Sequence, residues 1–92
     1  MADIENQELF ELNEEALSEV TGGKGNKYVM ATAEANVRKG PGKNYDIIGT
    51  AREGRFARYT GNSVLDKTGR VWHEVSVGGR KGWINGKYSK IF

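Results

Sequence analysis

Trp72 and Trp83 stand on either side of Gly78-Gly79, and the chemistry they offer is recognition rather than bond-making. If the two glycines form a two-residue turn, Val77 pairs with Arg80, Glu74 with Trp83 and Trp72 with Asn85. Side chains alternate along strands, so Val71, His73, Val75, Val77 and Ile84 share one face, the core face. Trp72, Glu74, Ser76, Lys81, Trp83 and Asn85 share the other. Two neighbouring indoles outside a core offer flat, polar-edged surfaces to an extended ligand. Trp72 reads as a groove wall, and Trp83 either as part of that groove or as a packing residue. Arg38 admits two roles as well. It could hold a ligand carboxylate in bidentate fashion, or it could brace Asp46 or Glu53 while Asn36 satisfies loop backbone.

Little else in the sequence could carry a reaction. There is no Cys and only one His, so neither a disulfide nor a thiolate metal site can form. His73 has no evident Ser partner and reads as a core-facing or rim side chain. The five acids beyond residue 23 are scattered. No catalytic residue, metal or cofactor is expected.

These side chains must be positioned by a chain of two unlike parts. Residues 1–23 hold seven Asp and Glu and no Lys or Arg, a formal charge of −7. All 14 Lys and Arg fall after them against the remaining five acids, giving +9. The join is Thr21-Gly22-Gly23-Lys24-Gly25. Such asymmetry suggests two segments with separate jobs, and the pair of glycines reads as a processing site. Leu9, Leu12, Ala16, Leu17 and Val20 recur at helical spacing, which predicts a nascent amphipathic helix that Gly22 stops. A helix so short is marginal alone. No apolar run approaches a membrane span, and the basic region and apolar core of a Sec signal are missing.

Leu9, Leu12, Leu17, Val20, Gly22 and Gly23, counted back from the second glycine, resemble the double-glycine leaders of bacteriocins and related small exported polypeptides. Ala16 and Asn13 depart from the usual Glu and Ser. The resemblance implies a partner, an ABC transporter whose peptidase domain cleaves after Gly23, and a product that is secreted or associated with the cell envelope.

Residues 24–92, with 11 of the chain's 13 glycines and its one proline, read as short strands joined by tight turns. Strands are expected over 28–33, 35–38, 47–50, 55–60, 71–77, 80–85 and 90–92. Residues 39–42 form a turn, 61–69 a polar loop and 86–89 a 3₁₀ turn. In the 55–60 strand Ala57 and Tyr59 face inward, leaving Phe56 and Arg58 outward. Asn36-Val37-Arg38-Lys39-Gly40-Pro41-Gly42, Tyr45, Ile48-Gly49, Gly54, Trp72, Val75, Gly82-Trp83-Ile84 and Lys87-Tyr88 resemble the bacterial SH3 domain family. Ala35 stands in place of a usual Leu. The implied fold is all-β, a small five-stranded SH3-like barrel over 28–92, preceded by a leader over 1–23 and a linker over 24–27.

Family members usually bind cell-wall peptidoglycan or its peptides, often as targeting modules attached to hydrolases. By this resemblance Tyr45 and Tyr88 approach Trp72 to complete a groove. Asn85 stands where eukaryotic SH3 domains carry their groove proline, so binding of proline-rich peptides is not carried over. The expected protein is a monomeric, non-catalytic wall binder. Its +9 charge also attracts anionic wall polymers. A bacteriocin-like antimicrobial effector and a secreted module for a protein or peptide partner share the same leader. A nucleic-acid role would suit the basic and aromatic residues, but the export leader argues against it.

Overall fold

Gly78 and Gly79 both adopt positive φ, 56° and 79°, the geometry of a type I′ turn that matches the twist of the strands it joins. This turn fixes the central hairpin. In a computed structural model that describes residues 8–12 and 27–92, β5 (Val71–Val77) pairs with β6 (Arg80–Asn85). The register is that expected from the turn: Val77↔Arg80, Glu74↔Trp83 and Trp72↔Asn85.

Five further strands complete one antiparallel sheet: β1 (Tyr28–Ala31), β2 (Ala35–Arg38), β3 (Ile47–Ala51), β4 (Phe56–Leu65) and β7 (Ser89–Ile91). Their order is β3-β2-β6-β5-β4-β1-β7. A 3₁₀ turn, Gly86–Tyr88, leads into β7. The fold is all-β and SH3-like as expected, divided into seven strands rather than five.

One stretch expected as loop is strand. Residues 61–65 continue β4, and the polar connection shrinks to residues 66–70. The strand accommodates its surplus through a bulge: Tyr59 faces Val75 and Ser63 faces His73, so Thr60, Gly61 and Asn62 oppose Glu74 alone. Thr60 Oγ1 and Asn62 Nδ2 both donate to Glu74 Oε1, at 2.9 and 3.5 Å, which closes the bulge with side chains.

The core is small in side chain and filled from outside. Val29, Ala31, Val37, Ala51, Ala57, Val75 and Ile84 from the strands are buried together with Leu9 and Phe10 of the N-terminal segment. Phe10 has no exposed surface. The segment is extended here, not helical. Glu8 bridges Thr50 of β3 and Leu12 bridges Phe56 of β4, with Leu9 N–H donating to Thr50 O at 2.7 Å. The helical spacing of Leu9 and Leu12 therefore misstates their conformation. Ala16, Leu17, Val20, Gly22 and Gly23 lie outside the described residues.

Phe56 is outward from that core but not exposed. With Tyr28 it forms a second cluster, packed by Leu12 and Met30, and its ring meets Phe92 edge-on at 5.5 Å. Tyr59 packs against the main core as expected. Val71 is exposed at the end of its strand, whereas Val77 packs partly against the core.

Candidate functional site

The two tryptophans are not exposed. Trp72 is 2% and Trp83 8% accessible. They lie on the polar face of the hairpin, as the alternation requires, but that face is covered. Trp72 Nε1 donates to Asp66 Oδ2 at 2.8 Å, so the turn after β4 is tied to the indole. Trp83 stands in register with Glu74 of β5 and Arg38 of β2. Both are buried, so Trp72 is not the open groove wall expected from the sequence, and Trp83 offers no free indole either.

Asp66 is the organising residue of that turn. Its Oδ1 accepts from Thr68 N at 2.8 Å, Thr68 Oγ1 at 2.6 Å and Arg70 N at 3.0 Å. The Thr68 hydroxyl, then the Trp72 indole, then the Arg70 and Thr68 amides hold its carboxyl well below the usual range, outweighing a desolvation effect that would raise it. Sequence reasoning passed over this residue. Its signal was Asp66-Lys67-Thr68-Gly69, an Asp whose side chain can close a turn onto the backbone two residues on.

Across from this turn lies the 39–46 loop. Arg38 Nη1 donates to the carbonyls of Lys43, at 3.1 Å, and Tyr45, at 3.0 Å. Arg38 thus braces the loop through backbone oxygens rather than through Asp46 or Glu53. Tyr45 lays its ring over Gly40, where any β-carbon would collide with it, so the glycine is needed for a close approach and not only for a turn.

Between these two loops runs an open cleft of about 640 Å³. Pro41, Gly42, Lys43, Asn44 and Tyr45 form one wall; Val64, Leu65, Asp66, Lys67, Thr68 and Arg70 form the other. Tyr45 is 48% and Leu65 66% accessible, so apolar surface faces water here, with Lys43, Lys67 and Arg70 exposed around it.

Of the groove residues expected from the sequence, Tyr45 alone lines the cleft. Trp72 sits behind Asp66. Asn85 is buried and caps the 3₁₀ turn, its Oδ1 accepting from Lys87 N at 2.9 Å. Tyr88 is exposed on that turn with Lys87 Nζ 5.8 Å from its ring centroid, and it is not among the cleft's lining groups. Leu65 and Lys67 were missed as partners of Tyr45 because residues 61–69 read as a polar loop, and Lys43 and Arg70 because nothing in the sequence places the two loops opposite one another.

His73 does have a serine partner. Ser63 Oγ lies 2.7 Å from His73 Nδ1 and 2.6 Å from Tyr59 OH, and the imidazole meets the Tyr59 ring edge-on. The pairing arises because the β4 bulge returns Ser63 to register opposite His73. Burial pushes the imidazole pKa down. A hydroxyl–imidazole pair alone lacks the carboxylate orienter and the oxyanion donors that acyl transfer needs. Among the described residues no cluster of three or more His, Asp or Glu could hold a metal, and no helix is long and apolar enough to cross a membrane.

Compared with known families, residues 33–90 match the bacterial SH3 domain, more than half of the chain. No curated protein matches it.

Proposed function

The chain belongs to the bacterial SH3 domain family, and from that premise we propose that it is an exported, non-catalytic binding module for cell-wall peptidoglycan or its peptides. The ligand site is the cleft between residues 41–45 and 64–70. The observation that carries this reading is a shaped surface of exposed Tyr45 and Leu65 edged by Lys43, Lys67 and Arg70. Exposed apolar groups on preformed walls suit short peptides, and the surrounding cations suit the free carboxylates that wall peptides carry. Two internal braces preform the walls: Arg38 holds the carbonyls of residues 43 and 45, and Asp66 holds the turn and Trp72.

Export follows the double-glycine pattern of Leu9, Leu12, Leu17, Val20, Gly22 and Gly23, with an ABC transporter peptidase cleaving after Gly23. Intact-mass analysis of culture medium tests it. A secreted chain beginning at Lys24 supports this route, and retention of only the full-length chain in cells refutes it.

Wall binding is tested by co-sedimentation of the full-length chain with purified cell walls at low and moderate salt. Tyr45→Ala and Leu65→Ser are the informative variants, since truncating buried Trp72 would damage the fold. Salt-resistant binding that both variants weaken supports the cleft. Binding that disappears with salt and ignores both would mean only attraction of a basic surface to polyanions.

A further inference from the structure

The strands leave a hollow that the N-terminal segment fills. The barrel's own share of the main core is three alanines, three valines and one isoleucine: Ala31, Ala51, Ala57, Val29, Val37, Val75 and Ile84. The one aromatic ring in that cluster, Phe10, comes from outside the sheet, and it is fully buried. Small walls and a large inserted ring form a socket and its knob.

The backbone around the knob follows strand addition. β4 pairs with β5 only from Arg58 onward, so Phe56 extends beyond its neighbour. Its N–H donates to Leu12 O at 2.8 Å, and its carbonyl accepts from Leu12 N at 3.1 Å. β3 lies at one edge of the sheet, and its Thr50 carbonyl receives Leu9 N–H. Glu8 Oε2 accepts from Phe10 N at 2.9 Å and from Arg52 N at 3.3 Å, which ties the segment to the turn between β3 and β4. Main-chain bonds to a sheet edge with side chains in pockets are how extended peptides add to sheets.

We propose that this groove is a peptide-binding site whose ligand is the chain's own acidic segment, the extended sequence Glu8-Leu9-Phe10-Glu11-Leu12. The segment stays bound as a separate peptide when the chain is severed between residues 12 and 28. Phe10 and Leu9 fill the socket, Leu12 packs beside Phe56 and Tyr28, and exposed Glu11 faces water. Charge favours the association, since residues 1–23 carry −7 and the remainder +9. Cutting at Gly22-Gly23 would therefore yield a two-piece complex, and the groove would open only when the peptide leaves. The inference depends neither on wall binding nor on the export route.

The test uses the full-length chain with a site-specific protease sequence inserted after Gly23. After cutting, the two pieces are run together on gel filtration at low and high salt. Co-elution at both salts is expected, as is exchange of the bound piece for an excess of labelled peptide spanning residues 5–15. Phe10→Ala, introduced before cutting, should weaken retention on the order of a thousandfold, the cost of removing a buried aromatic ring. Leu12→Ala serves where Phe10→Ala fails to fold, and should weaken retention by a smaller factor. Release of the acidic piece from a barrel that keeps its circular dichroism would overturn the proposal, and so would retention that high salt abolishes. A barrel that unfolds on cutting would overturn it as well, for the segment would then be part of the domain and not its ligand.

Discussion

Two hollows among the described residues are built on opposite terms. The one beside β4 is occupied by residues 8–12, secured by main-chain hydrogen bonds and a fully buried phenyl ring. The one between the 41–45 and 64–70 loops is open, and its apolar groups, Tyr45 and Leu65, face solvent. In the first, the side chains that meet the occupant belong to the core. In the second, the buried layer stops behind the wall, at Trp72, which Asp66 of the wall itself holds, and the exposed side chains of Tyr45 and Leu65 are not part of the core. The contrast teaches where each region's energy goes: the filled hollow stabilises the barrel, and the open one is free to spend its contacts on something else.

The sharpest way to break that contrast is Phe10→Ala in the full-length chain. Emptying a socket lined by Ala31, Ala51 and Ala57 should lower the unfolding free energy by about 3–5 kcal/mol, read from urea denaturation. A change under about 1 kcal/mol would mean that the ring is dispensable and that the two hollows are alike. Tyr45→Ala should do the reverse. Its stability should stay within about 0.5–1 kcal/mol of the parent, while retention on cell walls falls on the order of tenfold, about 1.4 kcal/mol. A large loss of stability with unchanged wall binding would place Tyr45 in the fold and not in the site.

Asp66→Asn sharpens the boundary between core and cleft. The amide keeps the size but lacks the charge, and its one oxygen cannot serve both the Thr68 hydroxyl and the Trp72 indole as the carboxylate does. Trp72 fluorescence should change, and the 66–70 turn should exchange its amide hydrogens faster. Residues 8–12 should be undisturbed. The parent's carboxyl is held below its ordinary pKa, so its contribution is present above about pH 3.9 and disappears as the pH falls through its folded value. The variant should lose that acid sensitivity. An identical acid limb in parent and variant would remove Asp66 from the account.

How much of this the sequence disclosed follows from the range of each interaction. The β5–β6 register was legible residue by residue, because two adjacent glycines with positive φ leave one pairing. The SH3-like fold was legible from the Asn36–Gly42 and Gly82–Ile84 motifs. Alternation also told correctly which side Trp72 and Trp83 take. It could not tell whether that side is covered, since the burial of both indoles is set by the rest of the fold, for Trp72 by the turn that brings Asp66 to its Nε1. Phe56 shows the same limit: its outward direction was right, and its burial depends on Leu12, distant in sequence. The N-terminal segment misled in another way. Leu9 and Leu12 fit a helical stripe that excludes Phe10, yet Phe10 is fully buried. A large aromatic off the stripe was the available signal.

The smallest effect expected separates the two hollows by pH. His73 sits at the base of the hairpin that forms one wall of the open cleft, paired through Nδ1 with Ser63 and against the Tyr59 ring. Burial lowers its pKa in the fold. The unfolded chain therefore binds the proton more readily, near pH 6.5, and stability is full above that pH and declines as pH falls through it toward the folded value. Because the ring is only partly buried, water screens the penalty, which should stay under about 1 kcal/mol. His73→Gln should flatten the decline between pH 7 and 5. Hydrogen exchange should show the acid loosening on the β4–β5 hairpin, with the Leu9 and Leu12 amides still protected by Thr50 and Phe56. Loosening of the docked segment at the same pH, with the hairpin unchanged, would reverse the assignment of the two regions, since His73 and Ser63 lie outside the cluster that holds Phe10 and only Tyr59 reaches it.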